Sequence, residues 1–270
     1  MVALVSPKRN TLLRSLGAAL AGGGQAAART ARNAYYAVDE DVRVHVAQAP
    51  FVGLSMLVAK RQIIRALPDD GHRPVLFVHG LASGPGVFLP LQLYLKLHGH
   101  RRTYALSLPN EGVEEMADAL STAVLRVCRV NHLGKSGRVD IVAHSMGGLV
   151  ARLALERPSI RRRVATLVTL GTPHAGTHAA RYLAQSPARD LRPDSELLTR
   201  LRRQMPWRGP PSHPRLVAFW SASDVLLLPS ATARAEGAHN VELRGFTHLS
   251  YLLDPRGFRR VLEVTRDAYR

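Results

Sequence analysis

Six short apolar runs, most of them closing on a turn residue, punctuate the chain from residue 74 onward: PVLFVHG, TYALSLP, RVDIVAH, VATLVTLGTP, RLVAFWSAS and HNVELRG. Runs of this length read as strands covered on both faces, because a half-exposed strand would alternate apolar with polar residues. Helical patterns separate several of them. From Val113 to about Asn131, apolar residues fall at Met116, Leu120, Val124 and Val127. Leu149, Val150, Leu153 and Leu155 predict a helix stopping near Pro158, and GFRRVLEVTRDAYR predicts an amphipathic helix at the C-terminal end. Strands alternating with helices imply an α/β chain: a mainly parallel sheet flanked by helices.

Two segments break the rhythm. Residues 1–33 hold Lys8, Arg9, Arg14, Arg29 and Arg32, no acidic residue, and the Gly/Ala-rich centre LGAALAGGGQAAA. Gly22–Gly24 interrupts the apolar part, so the stretch reads as a mobile or loosely amphipathic tail in preference to a cleaved leader. Residues 34–270 then form the domain. Within it, 176–214 carries six prolines and the helix-like SELLTRLRRQM, which predicts a lid or cap insertion between two strands. Its Leu183, Leu191, Leu197, Leu198, Leu201 and Met205 suit two roles equally: an apolar acyl-chain surface, or packing of the insertion onto the core.

Composition narrows the function classes. At 270 residues the chain suits one large domain, and the absence of any run of 18 apolar residues argues against a membrane-spanning helix. The 37 basic residues against 20 acidic ones give +17, a charge that attracts anions. The arginines are scattered, without zinc-finger spacing or an aromatic RNA-binding signature, so nucleic acid is the weak reading. Peripheral contact with an anionic membrane stays open. Localisation leans to the cytoplasm or a membrane periphery, with secretion left open, and the sequence gives no oligomeric state. Cys128 stands alone in an apolar pattern and reads as a small core residue. No metal or cofactor is expected, since the scattered aspartates offer no ligand spacing.

The chemistry gathers where strands end, because loops at the carboxyl edge of a parallel sheet converge on a crevice. Ser145 lies in VDIVAHSMGGLV, between a strand and a helix, with Ala143 and Gly147 small enough to let the two cross. That geometry pushes a hydroxyl outward, and the helix N-terminus behind it favours developing negative charge. A serine needs a base, and the base needs an acid to fix its tautomer. Asp224, after RLVAFWSAS, and His248, in RGFTHLSYLL, supply them at later strand ends. Asp190, Asp194 and Glu196 fall in the insertion, and Asp254 comes after the histidine. The backbone N–H groups of Met146 and of Leu81, which follows His79-Gly80, are the candidate oxyanion donors.

These segments together resemble the α/β-hydrolase superfamily, and within it the bacterial triacylglycerol lipase and esterase group. FVHGL (77–81), IVAHSMGG (141–148), LVTLGTPHAGT (167–177), SASDVLLLP (221–229) and GFTHLS (245–250) carry the resemblance, which extends over roughly residues 74 to 265. It implies an α/β-hydrolase fold with Ser145, Asp224 and His248 as a catalytic triad and Leu81 and Met146 as oxyanion donors. His174 and His144 are expected to pack rather than react. Ala143 departs from the family's usual first glycine and is the place where backbone strain is expected. The implied function is a serine ester hydrolase acting on carboxylic, lipid-like esters through an acyl-enzyme. An acyltransferase or a phospholipid or lipid-anchor deacylase would use the same triad. A non-catalytic basic protein binding membranes or nucleic acid is the remote third reading.

Overall fold

The computed structural model describes residues 39–58, 63–109, 111–183 and 186–267, so the basic tail expected over 1–33 lies outside the described residues. Helix α1 (Glu40–Val58) comes first, followed by strand β1 (Val75–Val78) and a 3-10 turn over Pro85–Phe88 that runs into α2 (Leu89–Leu97). Then come β2 (Thr103–Ala105), α3 (Val113–Val130), β3 (Val139–His144), α4 (Gly147–Ala154) and the single turn α5 (Pro158–Arg161). Strand β4 (Val164–Leu170) leads into two 3-10 turns and α6 (Glu196–Arg202). The order closes with β5 (Arg215–Trp220), β6 (His239–Glu242), α7 (Ser250–Leu253) and α8 (Pro255–Asp267).

The six strands make one parallel sheet in the order β2-β1-β3-β4-β5-β6. All six fall within the runs expected to be strands, but the edge strand β6 is not covered on both faces: His239 and Glu242 are exposed and Asn240 and Val241 only partly buried. Successive side chains point to opposite faces, and each face buries its own core. Val75, Phe77, Val142 and Phe219 join one cluster with Val87, Leu91, Phe246 and Phe258. Leu76, Val78, Ile141 and Ala143 join the other with Leu120, Val124, Leu149 and Leu153. Helix α3 shows why the periodicity was legible: Met116, Leu120, Val124 and Val127 are fully buried, while Glu114 and Glu115 open its first turn and Arg129 closes its last. Those charges complement the helix dipole.

Chain direction through the sheet reverses between β1 and β3. From β1 the chain moves outward to β2, then returns past β1 to β3 and continues to β6. Such a switch point opens a crevice at the carboxyl ends of its two strands. Val78 pairs with Ala143 there, so the loops after β1 and β3 leave the sheet side by side.

The segment between β4 and β5 sits tightly against the domain. Leu191, Leu198 and Leu201 are buried in the same cluster as the sheet, and Leu197 and Met205 pack against it. Ser195 starts α6 by accepting the Leu198 N–H at 3.2 Å, a helix cap of the usual kind. Five of the six apolar residues singled out there are therefore packing residues; Leu183 is 41% exposed.

Candidate active site

The loop after β3 turns on Ser145, whose φ is 54°. A left-handed conformation costs a residue with a Cβ about 1–2 kcal/mol, so the surroundings have to impose it. They do so through three hydrogen bonds. The Ser145 N–H donates to the Leu170 carbonyl at 2.9 Å, and its own carbonyl accepts from the Gly148 N–H at 3.1 Å and the Thr172 hydroxyl at 2.8 Å. Ser145 is the partly exposed residue in an otherwise buried run from Ile141 to Val150. The strain expected at Ala143 is thus found two residues later. Ala143 is ordinary, fully buried strand, and the close approach is made by Gly147, where a Cβ would overlap the Val78 and His79 carbonyl oxygens.

The neighbouring loop is held by His79. Its Nε2 accepts the Leu108 N–H at 3.3 Å, which leaves the proton on Nδ1 to be donated to the Gly80 carbonyl at 3.1 Å. Ser83 Oγ donates to the same carbonyl at 3.0 Å. Burial pushes the His79 pKa below the usual imidazole value, consistent with this neutral tautomer. Gly80 passes so close to Ser145 that a Cβ on it would lie 2.9 Å from Ser145 Cβ. The next two residues carry the loop over the crevice, with Ala82 at φ 49°. The N–H groups of Leu81 and Met146 donate to no protein acceptor among the described residues.

Asp224 and His248 arrive from the loops after β5 and β6 and meet directly. His248 Nδ1 lies 2.9 Å and 3.1 Å from the two Asp224 carboxylate oxygens, with both residues buried. The Leu226 N–H donates to Asp224 Oδ1 at 3.1 Å and fixes the carboxylate's plane. A carboxylate facing Nδ1 keeps the proton there and leaves Nε2 as the basic nitrogen. His144 links this pair to the strand that precedes Ser145: its Nε2–H donates to the His248 carbonyl at 2.9 Å. Burial first, and the nearby His248 second, push the His144 pKa down to about 3, so it stays neutral.

His174 belongs to a different network. Its Nε2 lies 3.0 Å from the Thr169 hydroxyl and its Nδ1 lies 3.3 Å from Arg152 Nη1. Arg152 is fully buried, donates to the Leu201 carbonyl at 2.6 Å and to Gln204 Oε1 at 3.3 Å, and is pushed down to about 10 by burial. It ties the helix behind Ser145 to the segment between β4 and β5. Burial holds His174 well below its ordinary pKa.

Three residues around the site escaped the sequence reading. Gln48 of α1 accepts from the hydroxyls of Thr247 at 2.9 Å and Ser250 at 3.1 Å, which bracket His248. His45 of α1 feels both His248 and Asp224, and burial holds its pKa down. Tyr251 buries a hydroxyl with no partner among the described residues, and burial plus the Asp224 charge raise its pKa well above 10. Thr172, which braces Ser145, had a signal: it sits in LGTPHAGT directly after a strand. Among the described residues no three His, Cys, Asp or Glu side chains converge as metal ligands would.

Solved structures share this arrangement of strands and helices. Lipase B of Aspergillus fumigatus superposes with a TM-score of 0.61 at 15% identity, covering 77% of this chain and 55% of that one. The mature Bacillus licheniformis lipase BlEst2 gives 0.58 at 18% identity, covering 73% and 95%. The chain has the α/β-hydrolase fold of these lipases. Residues 109–183, which include β3, the Ser145 turn and α4, match the model of the PGAP1-like alpha/beta domain family. A probable esterase of Oryza sativa subsp. indica, PIR7A, is 30% identical over 137 residues, or 47% of this chain and 49% of the relative. The chain thus spans about half the length of the curated relatives it matches.

Proposed function

We propose that this α/β-hydrolase cleaves carboxylic esters with Ser145 as nucleophile, His248 as general base and acid, and Asp224 as the group that orients His248. The observation that carries the reading is the Asp224–His248 contact at 2.9 and 3.1 Å, joined through His144 to the strand that presents Ser145. His248 Nε2 takes the Ser145 hydroxyl proton as Oγ bonds to the ester carbonyl carbon. The carbonyl oxygen becomes an anion facing the Leu81 and Met146 N–H groups. Each such donor is worth about 3 kcal/mol of transition-state stabilisation. Collapse of the intermediate breaks the bond to the leaving oxygen, which receives the proton from His248. Water then repeats the cycle on the acyl-enzyme and releases the acid. The solved lipases of the same fold support lipid-like esters as the substrate class.

Ser145→Ala is the decisive variant. It should lower kcat on a p-nitrophenyl ester by about 10⁴-fold or more with an unchanged circular dichroism spectrum, and should abolish labelling by a fluorophosphonate. Turnover retained by Ser145→Ala would sink the reading. Supplying a competing alcohol and analysing products separates hydrolysis from acyl transfer.

A further inference from the structure

Helix α1 is apolar on two sides, and only one of them is covered. At 3.6 residues per turn His45, Gln48 and Val52 fall on one arc. That arc faces the domain: Val52 is buried in the cluster of Phe88, Phe246 and Tyr251, and Gln48 holds Thr247 and Ser250. Val46, Phe51, Leu54 and Leu57 occupy the other side and are 59%, 66%, 59% and 86% exposed. No charged residue occurs between Val44 and Val58. A helix apolar all round is one that is buried on both sides, so the outer side of α1 is built for a partner.

Charge chooses the partner. Asp39, Glu40 and Asp41 stand at the start of the helix with Arg43, and Lys60, Arg61 and Arg65 follow it in sequence, so the cations gather after its C-terminal end. The turn under α1 continues into α2, where Leu89, Leu93 and Leu97 are exposed at four-residue spacing and Lys96 lies in the last turn. An apolar band followed by cations at the C-terminal ends of both helices fits the headgroup boundary of an anionic membrane. A second copy of this chain would bring +17 against +17, which opposes self-association. No helix among the described residues is long and apolar enough to cross a bilayer, so α1 would lie along the surface.

We propose that the outer face of α1 docks this protein on a bilayer containing anionic phospholipid. Because Gln48 and His45 sit against the His248 loop, docking sets the crevice beside the lipid. The catalytic use of that placement rests on the lipid-ester reading above; the docking does not.

Vesicle flotation tests it, using phosphatidylcholine vesicles with and without phosphatidylglycerol. Three full-length proteins are compared: wild type, Ser145→Ala, and the triple variant Phe51→Ser, Leu54→Ser, Leu57→Ser. Wild type and Ser145→Ala should float with the anionic vesicles alone. The triple variant should lose about tenfold or more of that partition while hydrolysing soluble p-nitrophenyl acetate at the wild-type rate, which shows it is folded. Equal partition of the triple variant overturns the proposal, as does wild-type flotation that ignores phosphatidylglycerol. So does a wild-type protein that stays off vesicles and is dimeric by light scattering where the triple variant is monomeric. If Ser145→Ala floats yet still turns over ester, the catalytic reading fails and the docking stands.

Discussion

His144 shows how one buried imidazole serves two neighbours at once. Its backbone precedes Ser145, and its ring holds the carbonyl of His248, so these two residues share a support without sharing a loop. Replacing it with phenylalanine keeps an aromatic ring in place and removes the hydrogen bond, leaving the buried His248 carbonyl without its donor. His144→Phe should lower kcat by about tenfold, the kinetic equivalent of about 1.4 kcal/mol, with KM little changed; steady-state kinetics on a soluble ester reads the split. Uniform loss through KM instead would mean that the ring shapes the substrate pocket.

At the scale of elements, the crossing of α4 over the end of β1 admits no side chain at Gly147. A methyl there collides with the Val78 and His79 carbonyl oxygens, which are backbone and cannot rotate away. Gly147→Ala should therefore destabilise by about 1–3 kcal/mol, visible as a lower urea midpoint with an unchanged m-value. Strands β1 to β5 were legible because doubly covered strands announce themselves as apolar runs, whereas β6 is an edge strand with no buried residue; Ser145, Asp224 and His248 each lie in a loop that follows a strand. Two helices were not. Around α1 the apolar residues occupy both sides, which erases the 3.6-residue rhythm a reader looks for. In α2 the stretch LPLQLYLKL alternates with a strand's period, yet it coils with Leu91 and Leu95 buried and Leu93 and Leu97 exposed. Local pattern lost to tertiary packing there. The strain misplaced at Ala143 has a similar origin: a motif departure marks a residue, whereas φ is set by the hydrogen bonds that converge on its neighbour.

For the whole molecule, acid is the predictable stress. His100 is buried against His72, with ring centroids 4.0 Å apart, and burial followed by the nearby His72 pushes its pKa down to about 4. His144 behaves alike, at about 3. Both values lie below the unfolded-state 6.5, so the unfolded chain takes up more protons as pH falls. Their stabilising contribution is complete above pH 6.5 and is lost progressively toward pH 4. The urea midpoint should fall across that window, and His100→Leu should make the fall shallower; an unaltered slope would remove His100 from the account. The long reach of α1 has a last consequence, for biosynthesis. Gln48 bonds to Ser250, 202 positions later. At 5–20 residues per second, a ribosome needs roughly 10–40 s to deliver that partner. Throughout that interval the apolar stretch from Val44 onward is already made and finds only part of its dock, the turn at Pro85–Phe88, which makes it a natural client for a chaperone.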